Sequence, residues 1–351
     1  MAENTRNVDS TVLERFIREL FTAGGMKPEE AAWYAHTIVQ ANLWGIDSHG
    51  AIRVPTYFRR ILIDAINRNA DIRVIRKAPA VTLIDADGAA GAVAAKVAME
   101  QAVEDAKTYG IAMAGVTNSN HFGASAVFSK LAADAGMIGI AMTNVMPLIA
   151  APGSKGAVVG TNPISVAIPT YNDFPFTLDM SISVVAGGKL HLAVAKGEPI
   201  PLGWGIDKDG NDTTDPKAAL EGYLLPIGGY KGLGLGYVVD ILSGLLTGGL
   251  FADKMRSMYH DPDVPSLTGH MFMAINAKFW MSEDELKDRM TYYHDFIQSI
   301  PVKDGSAKLI FPGELEANVQ KQRLLTGIPV PLSTLDELNR LGETYHIPIR
   351  L

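Results

Sequence analysis

What most constrains the fold of this 351-residue chain is a change of pattern along it. Helical spacing governs both ends, while β-branched runs alternate with alanine-rich stretches in the middle. Near the N-terminus Leu13, Phe16, Ile17, Leu20 and Phe21 fall on one face of a helix expected over 9–21, with Gly24-Gly25 as its stop. Pro28 and the acidic pair Glu29-Glu30 start a second helix that turns Tyr34, Ile38 and Val39 inward, and Pro55 opens a third to Ile66. From about Ala78 strands are expected at 80–85, 111–117, 137–143 and 164–168, with helices at 91–107 and 125–135. Ser282 then caps a charged helix towards Ile300, and a short one is expected at 335–341. The expected class is α/β in the α+β sense. A discontinuous helical domain (1–75 with 283–351) brackets an α/β domain (76–282).

Residues 144–163 are rich in proline and glycine yet apolar, which suits a loop packed on a ligand or partner rather than one in solvent. The stretch 232–251 is the one segment apolar enough to suggest a membrane span. Asp240 near its middle would cost about 3 kcal/mol in lipid, and its six glycines weaken it as a helix. A buried core or subunit-interface helix is expected instead.

The net charge of −7 and the absence of a Lys/Arg cluster oppose nucleic-acid and anionic-membrane binding. Zero cysteines remove disulfides, thiolate nucleophiles and Cys-ligated metal, and fit a cytoplasmic protein. The N-terminus lacks a signal-peptide pattern. No histidine pair has metal-ligand spacing, so no metal site is expected. G-x-G-x-x-G and P-loop motifs are both missing, since the glycines of 228–236 have the wrong spacing. Any nucleotide would have to bind through another fold.

Two short clusters carry the chemistry. Between Gly45 and Pro55 lie Asp47, Ser48, His49 and Arg53: an acid that can fix a tautomer, a hydroxyl, an imidazole, and a planar fork that matches a carboxylate. His49 alone could equally be a helix-terminal cap, but a helical turn would put it on one face with Arg53. The second cluster, Asn118-Ser119-Asn120-His121-Phe122-Gly123, places His121 before a helix N-terminus, where the dipole lowers an imidazole pKa. A loop histidine bonded to backbone is the plainer alternative. Asp179 either orients a histidine or forms a turn; Lys231, between glycines, reaches a phosphate or is solvated. His260 is a weaker pocket candidate, and a hydrolase built on Ser48 lacks its G-x-S-x-G elbow.

The motifs DSHGAIRVP (47–55), NSNHFG (118–123), GMIGIAMTN (136–144), GTNPISVAIP (160–169), LDMSIS (178–183), LLPIGGYKGLGLG (224–236) and FPGE (311–314) follow one another in order. In this the chain resembles the type-2 malate/L-lactate dehydrogenases, a family that includes ureidoglycolate, sulfolactate and diketogulonate dehydrogenases and cyclic-imine reductases. The resemblance implies a non-Rossmann NAD(P)-binding domain with a largely antiparallel sheet, and a homodimer with its site near the subunit contact. It puts a proton donor at His49, with Ser48 and Arg53 beside it, and gives His121 as the other acid/base candidate. It puts cofactor contacts on His121, Phe122, Gly123, Ala124, Asp179, Met180, Ser181, Lys231, Gly313 and Glu314. Two positions depart from the family pattern: Val145 replaces a hydroxyl residue and Gly187 replaces an arginine.

The expected function is hydride transfer between NAD or NADP, with NAD slightly ahead, and C2 of a small 2-hydroxy or 2-oxo acid. His49 would donate the proton, with His121 lining the pocket, Ser48 on the C2 oxygen, Arg53 on the carboxylate and Asp179 orienting a histidine. Reduction of a cyclic imine or ketimine is the nearest alternative, and a non-catalytic carboxylate-binding scaffold is the more distant one.

Overall fold

The computed structural model describes residues 4–170 and 173–351. The chain opens with strand β1 (Thr5–Val8) and helices α1 (Ser10–Ala23) and α2 (Pro28–Leu43). Single turns of 3-10 helix at Asp47–His49 and Ala51–Arg53 lead into α3 (Val54–Leu62). The Asp9 carboxylate caps α1 by accepting from the N–H groups of Thr11 and Val12, and the five apolar residues of its inner face are completely buried. The third helix stops short of the expected Ile66, because the chain turns at Asp64 with φ 57°.

The middle of the chain supplies β2 (Arg73–Ala78), β3 (Val81–Asp85), α4 (Gly91–Tyr109), β4 (Ile111–Ser119), α5 (Ser125–Asp134) and β5 (Ile138–Thr143). Short strands β6 (Ile149–Ala150) and β7 (Ala157–Val159) interrupt the expected loop, followed by β8 (Ile164–Ile168) and β9 (Phe176–Met180). Next come α6 (Gly187–Lys196), β10 (Gly205–Ile206), α7 (Pro216–Glu221), β11 (Tyr223–Leu224), α8 (Tyr230–Asp240) and β12 (Thr268–Ile275). The C-terminal part is α9 (Glu283–Ser299), α10 (Glu314–Thr326), β13 (Ile328–Pro331) and α11 (Leu332–Thr344).

The main sheet has seven strands in the order β2-β3-β4-β12-β5-β8-β9. All neighbours are antiparallel except β3 and β4, which α4 connects as a crossover. This is the mixed, largely antiparallel architecture expected. The central strand β12 escaped the sequence reading, since its middle is buried on both faces and shows no polar alternation. A four-stranded sheet, β10-β11-β6-β7, encloses a second small core with α6 and α7.

The two ends of the chain meet. Strand β1 pairs antiparallel with β13, Thr5 opposite Pro331 and Val8 opposite Ile328. One core runs from the inner faces of α1, α2 and α3 through α4 and α5 into β12. The apolar stretch 232–251 forms α8, a π-helical turn (Ile241–Leu245) and a tight turn; Gly236, Val239 and Ser243 are buried while Val238, Ile241 and Leu246 are exposed. Among the described residues no helix is long and apolar enough to cross a membrane.

Alanine-rich α4 lies close against the sheet, and its first residue touches the loop after β4. A Cβ on Gly91 would come within 2.1 Å of the Asn120 carbonyl oxygen and 2.6 Å of that of His121. Gly91→Ala is therefore expected to destabilise the fold by about 1–3 kcal/mol through overpacking, read as a lower urea midpoint. An unchanged midpoint would show that this contact is soft.

Candidate active site

The turn after α2 and the loop after β4 converge. Gly45 (φ 81°) breaks α2, and Asn42 then ties the turn from inside: its Nδ2 donates to Asp47 Oδ1 at 2.6 Å and its Oδ1 accepts from the Ala51 N–H at 2.8 Å. Ser48 and His49 project from the closed turn, with Ser48 Oγ 2.9 Å from His49 Nδ1. Arg53 Nε donates to the Ser48 carbonyl at 2.6 Å, and its guanidinium stands 5.4 Å from the centre of the Tyr259 ring. No carboxylate pairs with Arg53 among the described residues.

His121 comes from the other side. Its ring stacks on His49 with centroids 5.6 Å apart and planes 15° from parallel. The Tyr57 hydroxyl of α3 lies 2.7 Å from His121 Nδ1. Beneath them Arg60, a completely buried guanidinium, donates to Asn120 Oδ1 at 3.0 Å, to the carbonyls of Pro262 and Val264, and to Ser266 Oγ. Asn120 Nδ2 in turn donates to the carbonyls of Gly88 and Ala89. Buried His270 on β12 bridges Thr143 Oγ1 at 2.7 Å and Ser119 Oγ at 2.8 Å, and stacks on Phe122 at 4.7 Å. The loop carrying His121 is thus held at Ser119, Asn120 and Phe122.

Removal from water sets the charge state of this cleft. His49 is pushed down to about 4, first by desolvation and then by the Arg53 cation. Desolvation, with His49 and Arg53 adding to it, holds His121 well below the usual imidazole range. The Tyr57 phenol is raised to about 12 by desolvation, against the pull of Arg53 and Arg60. The site therefore holds two neutral imidazoles and a neutral phenol beside a guanidinium.

The structure brings Ser48, His49, Arg53 and His121 together, and it gives Asp179 other work. Asp179 Oδ2 accepts from the Ala126 N–H at 3.1 Å, at the N-terminus of α5, and no histidine is among its hydrogen-bond partners. The residue is exposed, and desolvation by the protein packed around its carboxyl raises it to about 7. Asp47 likewise does not reach His49; it pairs with Arg323 at 2.6 and 2.8 Å. Phe122, Gly123 (φ 89°) and Ala124 form the bend into α5, and Met180 and Ser181 follow Asp179 at the end of β9. Gly313 (φ 95°) packs where a Cβ would meet the Pro175 carbonyl at 2.6 Å, and Glu314 turns its carboxylate onto the Phe311 N–H. Lys231 is exposed in the first turn of α8, as is His260 beside Tyr259. Gly187 opens α6 towards empty space, and Val145 N–H donates to Asn162 Oδ1. No metal cluster occurs among the described residues.

Tyr57, Arg60 and His270 were missed in sequence. Tyr57 follows His49 and Arg53 at intervals of four, a spacing that signals one helical face. His270 gave no signal because its strand was not recognised.

A family model described as malate/L-lactate dehydrogenase matches residues 8–339. The chain belongs to this family. It is therefore an oxidoreductase of the 2-hydroxyacid dehydrogenase type, using a nicotinamide cofactor. Malate dehydrogenase of Pyrococcus horikoshii is 37% identical, with 97% of this chain and 96% of that protein covered. Sulfolactate dehydrogenase of Methanocaldococcus jannaschii superposes with a TM-score of 0.93 at 34% identity, covering 98% of both chains. The delta1-piperideine-2-carboxylate reductase of Pseudomonas syringae pvar. tomato superposes with a TM-score of 0.85 at 26% identity, over 96% of this chain and 100% of the other.

The depressed histidines make the fold acid-labile. His49 (about 4) and His270 (about 3) lie below the unfolded-state value of 6.5, so their contribution to stability is complete above that value and is lost as pH falls through it towards 4 and 3. Asp179, raised from 3.8 to about 7, works oppositely, its contribution being lost as pH rises from 3.8 through 7, and it offsets part of the histidine effect. The urea midpoint is expected to drop as pH falls from about 6.5 to 4, with a shallower drop in His270→Gln. A midpoint independent of pH over that range would contradict the neutral state of these rings.

Proposed function

We propose that the cleft between His49, His121 and Tyr57 takes a small 2-hydroxy or 2-oxo acid whose carboxylate docks on Arg53. One observation carries this reading: two stacked neutral imidazoles stand beside a guanidinium that has no carboxylate of its own. A bidentate carboxylate supplies the missing counter-charge, and it fixes C2 relative to the two rings. The nicotinamide cofactor, when bound, exchanges a hydride with C2; we place NAD ahead of NADP.

The residues of the chain manage the proton. Imidazoles held neutral are ready to take it from the C2 hydroxyl in oxidation. In reduction a bound carboxylate offsets Arg53 and favours the imidazolium, so that the ring can return the proton to the C2 oxygen. A phenol serves both states, because the Tyr57 hydroxyl can donate to a bare Nδ1 or accept from a protonated one. A carboxylate in its place would hold the imidazolium and oppose its neutral form. This support gives His121 the stronger claim to the proton, with His49 completing the pocket and Ser48 on the C2 oxygen.

Residues that would face the cofactor are those at the bend into α5 and the end of β9: Phe122, Gly123, Ala124, Asp179, Met180 and Ser181, with Lys231, Gly313 and Glu314 further out. The chemistry of this donor set fits a nicotinamide carboxamide. Gly123 has open space where a Cβ would stand, and the exposed Asp179 carboxyl at the N-terminus of α5 can accept from an amide N–H. The exposed apolar residues Val238, Ile241, Tyr292 and Phe296 suit a second copy of the chain, and we propose a cytoplasmic homodimer. The imine-reducing relative supports a second reading, the same hydride chemistry on a C=N bond.

Screening 2-oxo acids and cyclic imines with NADH and NADPH decides between the two. Turnover of the imines alone would displace the hydroxy-acid reading, and failure to bind either nucleotide would sink both. His121→Ala is expected to lower kcat by about 10²–10⁴-fold and His49→Ala by less; the reverse order would exchange their roles. Arg53→Lys should raise KM for the acid sharply, since a point ammonium cannot replace the fork. An unchanged KM would remove Arg53 from the carboxylate site.

A further inference from the structure

The Ser48-His49 turn owes its shape to a residue far along the chain. We infer that Arg323, with Asp47 as its partner, is a positioning residue for the substrate turn, and that α10 carries that function from the cofactor side of the cleft to the substrate side. Arg323 makes a two-pronged pair with Asp47, Nη1 to Oδ1 at 2.6 Å and Nη2 to Oδ2 at 2.8 Å, and Nη1 also donates to the Asn42 carbonyl. The Arg323 side chain is only 14% exposed while that of Asp47 is 47% exposed, so the pair is sheltered on the arginine side. The same Asp47 Oδ1 accepts from Asn42 Nδ2, whose amide oxygen holds the Ala51 N–H. The guanidinium, the carboxylate and the amide therefore close both ends of the five residues that contain Ser48 and His49.

Three further contacts make α10 the support rather than a passing neighbour. Gln320 Oε1 accepts from Trp44 Nε1 at 2.8 Å and from Gln40 Nε2 at 3.2 Å, and Val319 packs where a Cβ on Gly45 would stand. At its other end the helix starts from Gly313, and the preceding Pro312 carbonyl accepts from the Thr177 N–H of β9, the strand that ends in Asp179 and Met180. One helix of 13 residues, about 20 Å long, thus joins β9 to the turn with Ser48 and His49. Neither Asp47 nor Arg323 reaches the rings of His49 or His121, so they act through backbone position alone. The family pattern in sequence marks Asp47 but offers no sign of its partner 276 residues away.

This inference rests on the hydroxy-acid reading above, and the test separates the two. In Arg323→Gln and Asp47→Asn, kcat/KM for the preferred 2-oxo acid should fall about 10²-fold, as for a misplacement of about 1 Å, while the NADH dissociation constant stays within about twofold. The double variant should be no worse than the poorer single one, because the two residues share one interaction. Arg323→Lys should recover only part of the loss. Oxalate titrated into the NADH complex and followed by nucleotide fluorescence reads the same turn without turnover, and should bind weaker in each variant. Single variants with kcat/KM and oxalate affinity within twofold of the parent would overturn the inference, as would parallel loss of NADH affinity and thermal stability. A parent enzyme that binds NADH and oxalate but reduces no 2-oxo acid would instead refute the hydroxy-acid reading, leaving the oxalate series to judge the pair.

Discussion

Everything at the cleft depends on one buried cation without a carboxylate. Arg60 reaches from α3 into the space between the helical layer and the sheet, where its hydrogen bonds go to neutral oxygens of Asn120, Asp261 (its carbonyl), Pro262, Val264 and Ser266. A buried charge of this kind is costly unless each N–H finds an acceptor, so its partners are fixed in place. They are the residue before His121 and the loop that brings Tyr259 against Arg53. By satisfying itself, Arg60 sets the distance between the Tyr57 hydroxyl and His121, which come from elements otherwise separate in the sequence.

The same choice of partners explains the electrostatics. Arg53 has no carboxylate partner and Arg60 feels Asp263 without pairing with it, so their charge adds to the desolvation that holds the imidazoles neutral and works against the desolvation that raises Tyr57. Each histidine is driven to its neutral form while the cleft as a whole stays cationic, which is a standing demand for an anion. In the proposed reading the substrate's carboxylate answers it and changes the rings' protonation as it does so. Binding and proton transfer are then two consequences of one missing counter-charge.

Much of this was legible in sequence where the signal is local. The helix cap at Ser282 and the amphipathic face of α1 both follow from residues within a few positions of each other. The two clusters around His49 and His121 were also legible, because their residue types are concentrated in loops. What was hidden depends on long separations: β12 carries no alternation, His270 matters only through Thr143 and Ser119, and Asp47 finds Arg323 at the far end of the chain. Asp179 was misread for the same reason. An acid after a strand looks like a partner for a histidine until the chain shows that the nearest unsatisfied donor is the Ala126 N–H at the start of α5.

That placement of Asp179 bears on how a dinucleotide can bind without a glycine fingerprint. In a doubly wound fold a helix N-terminus is left open, and the pyrophosphate uses its free N–H groups. Here the corresponding place at α5 holds a carboxyl. In the proposed reading a phosphate there would oppose ionisation of the Asp179 carboxyl, whereas an amide offers that carboxyl an N–H. On the proposed reading this helix end takes the carboxamide of a nicotinamide rather than a phosphate. In that reading the phosphates lie away from α5, where no glycines at fixed spacing are needed. The missing G-x-G-x-x-G and the acid at the start of α5 are consistent parts of that one proposal.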